Sequence, residues 1–403
     1  MGGASYDAIV VGARCAGSPT AMLLARAGLR VLLVDRTTFP SDTVSTHAVH
    51  APGVAALRRF GLLEQLEATG CPRVPRYSYD FGPFAISGSP SPADGDVSYA
   101  YGPRRTVLDK LLVDAAAEAG AEVRQGFVVE ELVFDGGTVT GLRGHARGGR
   151  TVTESARVVI GADGRNSGVA KAVRAGEYNE RPARAAWYYT YWSNLPVDGA
   201  EIYIRPGRGW VALGTHDGLT LVGVGWPIAE LEANRKDIEG TYLRALDLVP
   251  AFAERVSAAS REERYVGTLV PNFFRQPSGP GWALVGDAGY TKDPVTAYGI
   301  MDAFLCAERL AGALVEWLSG VRPYEDAMAD YKGERDEHAL PGYKLTCDLA
   351  KLDLPPPPLM DLFSAVSRSA ESSDEFVSMM TGTMPVTAFF DPENLGRILS
   401  AAS

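Results

Sequence analysis

The 403-residue sequence predicts an α/β protein: a parallel sheet covered by helices, an inserted antiparallel sheet and a helical C-terminal region. Three observations predict it. Two short apolar runs flank a helical segment at the N-terminus, and such a βαβ unit is typical of a doubly wound sheet. Aromatic-rich runs separated by Pro-Gly and Asp-Gly turns between residues 185 and 226 are typical of antiparallel strands. From residue 322 onward the pattern is helical on both sides of a proline run.

Composition and charge narrow the classes of function. Apolar residues make up 46% and charged residues 22% of the chain, which is ordinary for a folded protein. The 49 acidic residues outnumber the 39 basic ones, and a net charge of −10 argues against nucleic acid or an anionic membrane as a partner. The four cysteines are scattered, and no apolar stretch approaches the ~20 residues of a membrane span. We therefore expect reduced thiols, a cytoplasmic location and a small-molecule partner.

The first βαβ unit is the clearest local pattern. An apolar strand at residues 6–11 leads into a turn bounded by Gly12 and Gly17. An Ala- and Leu-rich helix at residues 21–27 follows, and a second buried strand covers residues 29–35. Glycines at such a turn allow the chain to bend sharply and the helix to pack closely on the strand.

The remaining elements are predicted from the periodicity of apolar residues and from the Gly and Pro residues that end helices and strands. A helix is predicted after Pro52, and residues 72–102, rich in Pro, Gly and Ser, are expected to leave the first lobe. The other predicted helices cover residues 105–119 and about 297–318. The predicted strands cover residues 121–128, 138–143, 157–161, 187–192, 201–204, 210–215, 219–226 and 282–287.

The turn after the first strand is an imperfect dinucleotide-binding fingerprint. It reads Gly12-x-Arg14-x-x-Gly17, with arginine at the usual middle glycine. The following helix N-terminus would present free N–H groups to a pyrophosphate, and the Arg14 guanidinium could face it as well. Asp35 ends the second strand, where a carboxylate can accept from a ribose hydroxyl. The alternative is a strand-to-helix turn that binds no ligand.

Two further motifs follow buried strands. One is Gly161-Ala162-Asp163-Gly164, and the other is Gly286-Asp287-Ala288, followed by Asp293-Pro294 and Gly299. Alone, either is usually just a turn. With the fingerprint and in this order, they resemble the motifs of the FAD-dependent monooxygenases of the aromatic-hydroxylase type (group A, para-hydroxybenzoate hydroxylase-like). The resemblance covers most of residues 5–320.

The resemblance implies a domain organisation. A Rossmann-like FAD-binding domain of the GR2 type would be built from residues 1–75, 100–180 and 265–335. A substrate-binding domain with the antiparallel sheet would comprise residues 76–99 and 181–264. Residues 336–403 would form the C-terminal helical region.

The resemblance also implies which residues hold FAD. The ADP half would lie against Gly12, Ala13, Arg14, Gly17, Asp35 and Arg36. Arg105 would face the pyrophosphate, and Asp163 would lie near it on the path of the nicotinamide cofactor. Gly286 and Asp287 would contact the ribitol. Pro294 and Gly299 would lie beside the isoalloxazine, where the dipole of a helix beginning near Ala297 would favour negative charge on the reduced flavin.

Aromatic residues of the second lobe are candidates for a substrate wall. Tyr189, Tyr191, Trp192 and Trp210 could line a pocket for a flat apolar molecule, or they could simply fill the core of the sheet. His47 is the one candidate for a catalytic side chain, with a hydrogen-bonded structural histidine as the alternative. It lies three residues before His50, and because no third ligand is evident we predict no metal site.

The activity implied by the resemblance is a monooxygenation that uses FAD, NADPH or NADH, and O₂ on an aromatic or other electron-rich small molecule. The protein would be a monomer or a homodimer. Three alternatives stay open: an FAD-dependent reductase or dehydrogenase of the geranylgeranyl reductase type, a flavin-dependent halogenase, and a flavin-binding module without turnover. The halogenase is the weaker of the enzyme alternatives because the chain has no Trp-x-Trp-x-Ile-Pro motif.

Overall fold

The computed structural model describes residues 5–401. In chain order, the first elements are β1 (Tyr6–Val11), α1 (Gly17–Arg26), β2 (Val31–Asp35), α2 (Ala51–Arg59), α3 (Leu63–Ala68), β3 (Arg73–Val74), β4 (Tyr77–Asp80), β5 (Ala85–Gly88), β6 (Ala100–Tyr101), α4 (Arg105–Glu118), β7 (Glu122–Gln125), β8 (Phe127–Asp135), β9 (Thr138–Ala146), β10 (Val152–Gly161), α5 (Gly168–Ala172) and β11 (Glu177–Arg181).

The second part of the chain contains β12 (Ala185–Ser193), β13 (Ala200–Arg205), β14 (Arg208–Gly214), β15 (Thr220–Pro227), α6 (Leu231–Asn234), α7 (Ile238–Leu246), α8 (Pro250–Ser257), β16 (Ser260–Arg261), β17 (Val266–Thr268), β18 (Asn272–Arg275), β19 (Ser278–Gly279), β20 (Trp282–Leu284), β21 (Tyr290–Thr291), α9 (Gly299–Leu318), α10 (Tyr324–Leu349), α11 (Pro357–Val366), α12 (Ala370–Thr381), α13 (Val386–Phe389) and α14 (Pro392–Ala401). Short 3₁₀ turns occupy residues 216–218, 228–230, 286–288 and 294–296. Within residues 5–401 no helix is long and apolar enough to cross a membrane.

The first sheet has the strand order β19-β20-β10-β1-β2-β7, and the five strands β20, β10, β1, β2 and β7 pair in parallel. Successive residues of β1 are buried on opposite faces: Ala8 and Val10 pack under helices α1, α4 and α9, while Ile9 packs under the β8–β9 hairpin. Burial on both faces explains the continuous apolar sequence of these strands. The α/β fold class is confirmed.

The second sheet has the order β16-β12-β15-β14-β13-β4-β5, with β17 also paired to β12. Its pairs are antiparallel except β13 with β4. One face carries Trp210, Val222 and Trp226 against helices α7 and α8. The other face carries Tyr189 and Leu221 toward the first sheet's loops.

The C-terminal helices cover the end of the second sheet. Phe363 of α11 and Phe376 of α12 pack on Phe81 just after β4. The 26-residue helix α10 packs along α9 and continues through Pro341. The sequence analysis placed the start of the C-terminal helical region between residues 335 and 336. That boundary therefore lies inside a continuous helix.

Some element boundaries differ from the predictions for local reasons. The helix predicted after Pro52 is divided into α2 and α3 at Gly61, whose φ is 71°. The strand predicted at residues 121–128 is divided at Gly126, whose φ is 67°. The helix predicted from about 297 begins at Gly299, because Ala297 has a left-handed φ of 56°. A left-handed residue cannot continue a right-handed helix.

Candidate functional site

A single cavity of about 1560 Å³ runs from the carboxyl ends of β1, β2 and β10 to the C-terminal helices. It passes between the loops of the first sheet and the inner face of the second. Ligands of doubly wound sheets bind at the carboxyl ends of the strands. The residues at that end of the sheet therefore form the candidate ligand site.

The fingerprint loop is held by its own close packing. Gly12 has a φ of 106°, and a Cβ at this residue would lie 2.4 Å from the carbonyl oxygen of Ala162. A Cβ at Gly17 would lie 1.8 Å from the carbonyl oxygen of Gly12. The backbone of the loop thus excludes any side chain at either position. Gly17 itself does not line the cavity.

Asp35 ties this loop to the end of β2. Its Oδ2 accepts a hydrogen bond from the Ala13 N–H at 2.7 Å, and its Oδ1 accepts from the Thr37 N–H at 2.7 Å. Ala13 contributes this backbone contact and does not itself line the cavity. The carboxylate oxygens keep lone pairs for a ribose hydroxyl. Arg36 is exposed at the edge of the cavity beside it.

Farther along the cavity, Arg14 and Arg105 both donate hydrogen bonds to the carboxylate of Asp109. Asp109 of α4 is fully buried and accepts from Arg105 at 3.0 and 3.1 Å and also from Arg14. Both arginines line the cavity. Two guanidinium groups against one carboxylate leave a surplus positive charge. Burial raises the pKa of the neighbouring Cys15 thiol to about 12, so this thiol adds no negative charge.

The N-terminus of α1 opens at the same place. Its N-cap residue, Ala16, offers no side-chain cap, and the first turn holds no acidic residue. Uncapped N–H groups and the helix dipole favour an anion. Together with Arg14 and Arg105 they form a site suited to a pyrophosphate.

The Asp287 side chain is exposed to the cavity, while its neighbours Gly286 and Ala288 are buried. Among the described residues it has no hydrogen-bond partner, and burial raises the pKa of its carboxyl group. A Cβ at Gly286 would lie 2.6 Å from the Cβ of Ala16, so glycine is needed to bring this turn against α1. The carboxylate is therefore placed to accept hydrogen bonds from a polyol.

The turn before α9 presents backbone to the cavity. Pro294 and Gly299 both line it, and no atom lies within 4 Å of a Cβ built at Gly299. The N-cap of α9, Tyr298, makes no side-chain cap, so the dipole of this 20-residue helix is directed at the open space. In its first turn Asp302 forms a buried ion pair with Lys292.

Asp163, in the motif between the fingerprint and Gly286-Asp287-Ala288, holds local structure. Its Oδ1 accepts from the Ser167 hydroxyl at 2.5 Å, and its Oδ2 accepts from the Gly168 N–H at 2.7 Å. These bonds hold the start of α5. The residue lines the cavity, but both of its oxygens are already engaged.

Asp293 is a buried carboxyl group that the sequence analysis did not single out as a site residue. It is 1% exposed, and its Oδ1 accepts from the Trp187 indole N–H and the Val295 N–H, both at 3.0 Å. Its Oδ2 is enclosed without a hydrogen-bond partner. Burial raises the pKa of Asp293 to about 7. Both Asp293 and Trp187 line the cavity beside Pro294.

Two of the four aromatic residues predicted for a substrate pocket line the cavity, namely Tyr189 and Trp210. The ring of Trp210 also packs against Phe252 on the far side of the sheet. The side chain of Trp192 lies on that far side, with its indole N–H donating to Tyr242 at 3.3 Å, and the residue is outside the cavity lining. The alternation of side chains along a strand explains this correction. Tyr191 does not line the cavity.

The structure does not bring His47, the one catalytic candidate, to the cavity. It is fully buried outside the cavity lining, with Nδ1 against the Pro103 carbonyl oxygen at 2.8 Å and Nε2 against the Tyr191 hydroxyl at 2.5 Å. Burial lowers the pKa of His47 to about 3. The neutral ring therefore donates to Pro103 and accepts from Tyr191, which is a structural role. No group of three or more His, Cys, Asp or Glu residues among 5–401 could hold a metal ion.

Beyond the α9 turn the cavity has an apolar lining, and we name this part of it the apolar chamber. The sequence analysis missed it, because residues from the second sheet and from the C-terminal helices meet there only in the folded chain. Its lining comprises Tyr77, Tyr79, Phe81, Ile202, Ile204, Leu345, Leu349, Leu359, Phe363, Phe376, Met379, Met380, Val386 and Phe390.

The residues of the narrow part fit FAD. Arg14, Arg105 and the α1 N-terminus suit its pyrophosphate, Asp35 its ribose and Asp287 its ribitol chain. Fold and site together define an FAD-dependent oxidoreductase. The family model described as "FAD binding domain" matches residues 5–340, and the chain belongs to this family.

Individual relatives carry several activities. The chain is 30% identical to a digeranylgeranylglycerophospholipid reductase 2 of Methanothermobacter thermautotrophicus over 76% of this chain and 77% of the relative. It is 27% identical to a menaquinone reductase of Mycolicibacterium smegmatis over 86% and 84%. The solved structure of the flavin-dependent brominase Bmp2 is 19% identical with a TM-score of 0.82, each chain covered to 98%. That of the p-nitrophenol 4-monooxygenase PnpA of Pseudomonas putida is 18% identical with a TM-score of 0.76, covering 94% of this chain and 98% of that one.

Proposed function

We propose that the protein is an FAD-dependent reductase that saturates a carbon–carbon double bond of an extended, isoprenoid-like substrate. The observation that carries this proposal is the apolar chamber, which is continuous with the α9 turn. A chamber lined by aliphatic, aromatic and methionine side chains favours a long apolar ligand through burial of its surface. The oxygenation of a small aromatic molecule, which the sequence resemblance implies, would leave most of this space unused.

The two relatives named above as reductases support the same proposal. As their names state, these relatives reduce digeranylgeranylglycerophospholipid and menaquinone. Both alignments cover more than two thirds of this chain and of the relative. The brominase and the monooxygenase, at 19% and 18% identity, share the fold.

The chain's own residues would bind and orient the substrate. When bound, FAD supplies a hydride for one alkene carbon, and NADPH or NADH is the proposed source of its electrons. The other alkene carbon needs a proton. We assign this proton to Asp293, a carboxyl group that lines the cavity and whose pKa burial raises to about 7. Trp187 positions the carboxyl group, and the apolar walls exclude water.

The deciding experiment is the mass of the product of one turnover. The purified holoprotein is reduced under nitrogen and mixed with a polyprenyl lipid, and in a second arm it is mixed with phenols in air. We expect the lipid to gain two hydrogen atoms and the phenols to remain unchanged. A phenol that gains one oxygen atom, together with an unchanged lipid, would contradict the proposal.

A pair of tryptophan variants tests the role of the chamber in the same assay. Leu349→Trp places a large side chain in the chamber from α10, whereas Glu334→Trp places it on the exposed side of the same helix. We expect the first variant to lose most lipid turnover with its FAD retained, and the second to behave as the unmodified protein. Equal turnover in both would mean that the lipid does not occupy the chamber.

A specific feature favours the oxygenase as the second candidate. The inner face of the second sheet presents Trp187 and Tyr189 to the cavity close to the α9 turn. Two aromatic side chains can bind a flat ring by stacking or edge contacts. The phenol arm of the mass experiment tests this candidate directly.

A further inference from the structure

The apolar chamber contains a phenol hydroxyl without a partner. Side chains of alternate residues along β4, Tyr77 and Tyr79, line the chamber. The Tyr77 hydroxyl donates to Nδ1 of His50 at 2.9 Å, because Nε2 of this histidine donates to the Thr296 carbonyl oxygen at 3.0 Å. Tyr298, at the same end of the cavity, donates to the Met380 carbonyl oxygen at 3.1 Å.

Tyr79 differs from both. Its side chain is 6% exposed, and its ring lies edge-on to Phe376 with the centroids 5.3 Å apart. Its hydroxyl has no hydrogen-bond partner among the described residues and is not sealed by protein atoms, so it opens onto the chamber. Burial raises the pKa of Tyr79, which keeps the group a neutral phenol that can donate.

A polar group left unpaired in an apolar space costs free energy that a ligand can recover. The surrounding wall is apolar: Phe81, Phe363, Phe376 and Met379 come from three different elements around Tyr79. A ligand that filled the chamber with hydrocarbon alone would leave this hydroxyl unpaired. A ligand with one oxygen at the right place along its length would satisfy it.

We propose that the Tyr79 hydroxyl donates a hydrogen bond to a neutral oxygen of the ligand, and that the substrate is therefore an apolar chain bearing a carbonyl or quinone oxygen. This inference rests on the proposed function in one respect, namely that the chamber holds the substrate. The recognised oxygen is neutral because a phenol surrounded by apolar side chains offers a dipole and no countercharge. Charged groups lie at the rim, where Lys351 pairs with Asp348 at 2.7 Å and Arg208 pairs with Glu230.

The test compares matched probes on the oxidised holoprotein without turnover. A long-chain methyl ketone, the alkane of the same length and the carboxylate of the same length are titrated while tryptophan and flavin fluorescence are recorded. The variants are Tyr79→Phe and, as the matched control, Tyr242→Phe. Tyr242 of α7 packs on the other face of the second sheet and outside the cavity lining, and its hydroxyl donates to the Val222 carbonyl oxygen at 2.9 Å.

We expect the unmodified protein to prefer the ketone, and Tyr79→Phe to weaken ketone binding about 2- to 13-fold, the value of one net hydrogen bond, with alkane binding unchanged. Tyr242→Phe should keep the preference. The ligand-free Tyr79→Phe protein should be at least as resistant to urea as the unmodified one, because the removed hydroxyl has no partner to lose.

The outcomes separate the two proposals. If both neutral probes bind and Tyr79→Phe keeps the full ketone preference, the Tyr79 inference is wrong while the chamber still binds apolar ligands. The inference is also wrong if the carboxylate binds most tightly to both proteins, since the recognised oxygen would then be charged. If no probe binds, the chamber is not a substrate site, and the proposed function fails together with the inference.

Discussion

The protonation of Asp293 gives a prediction whose size follows from the structure. The carboxyl group is 1% exposed, and burial raises its pKa from 3.8 to about 7. At about 1.4 kcal/mol per pKa unit, ionising it in the folded protein costs about 4 kcal/mol. The titratable neighbour on α10 is Cys347, whose thiol pKa is also raised by burial, and Lys292 next along the chain is paired with Asp302.

The sign of the effect follows from the proton count. Between pH 3.8 and about 7 the folded protein holds a proton that the unfolded chain has released, so the free energy of unfolding falls as the pH rises through this window. Asp293→Asn removes the titration and keeps an oxygen that can accept from Trp187 and Val295. Relative to the unmodified protein, we expect this variant to gain roughly 2.5 kcal/mol of stability between about pH 5 and about pH 8.

The assay is urea unfolding of the holoprotein, followed by circular dichroism at a series of pH values. The exposed Asp247→Asn serves as the control and should show the pH dependence of the unmodified protein. If Asp293→Asn follows the same curve as the unmodified protein, Asp293 does not hold a proton near neutral pH. The proton assignment in the proposed reaction would then be refuted as well.

Three further variants test the site. Asp287→Ala should weaken FAD binding about 10-fold or more through lost charge-assisted hydrogen bonds, read from the flavin-to-protein absorbance ratio; full FAD content would refute the ribitol assignment. Gly12→Ala should lower stability by roughly 1–3 kcal/mol with or without added FAD, because its Cβ meets the Ala162 backbone; a thermal midpoint that excess FAD restores would contradict this. Trp192→Phe should lower the free energy of unfolding in urea by about 1 kcal/mol, because the contact with Tyr242 is lost. If the variant changed ligand affinity instead, Trp192 would contribute to the substrate pocket.

Local patterns predicted the first sheet and the narrow part of the cavity well. β1 matches its predicted bounds, and Gly12, Arg14, Asp35, Arg105, Asp287, Pro294 and Gly299 come together along one cavity. A strand-turn-helix motif is contained in neighbouring residues, and the carboxyl ends of parallel strands meet at one edge of a sheet. The roles assigned to these residues in binding FAD remain predictions for the experiments above.

The parts that were missed depend on contacts between distant residues. Asp109 neutralises part of the charge of Arg14, 95 residues earlier in the chain, and no local pattern shows that pairing. The unpaired oxygen of Asp293 and the free hydroxyl of Tyr79 are visible only when their surroundings are complete. The assignment of Trp192 failed because alternation specifies two faces of a strand without saying which one faces a cavity.

The most direct test of the central claim is a crystal structure of the holoprotein with a polyprenyl ketone. The account predicts FAD with its adenosine end at Asp35 and its ring system at Gly299, and the lipid in the apolar chamber with its oxygen at Tyr79. A lipid bound elsewhere, with the chamber filled by ordered water or by a rearranged α12, would contradict it.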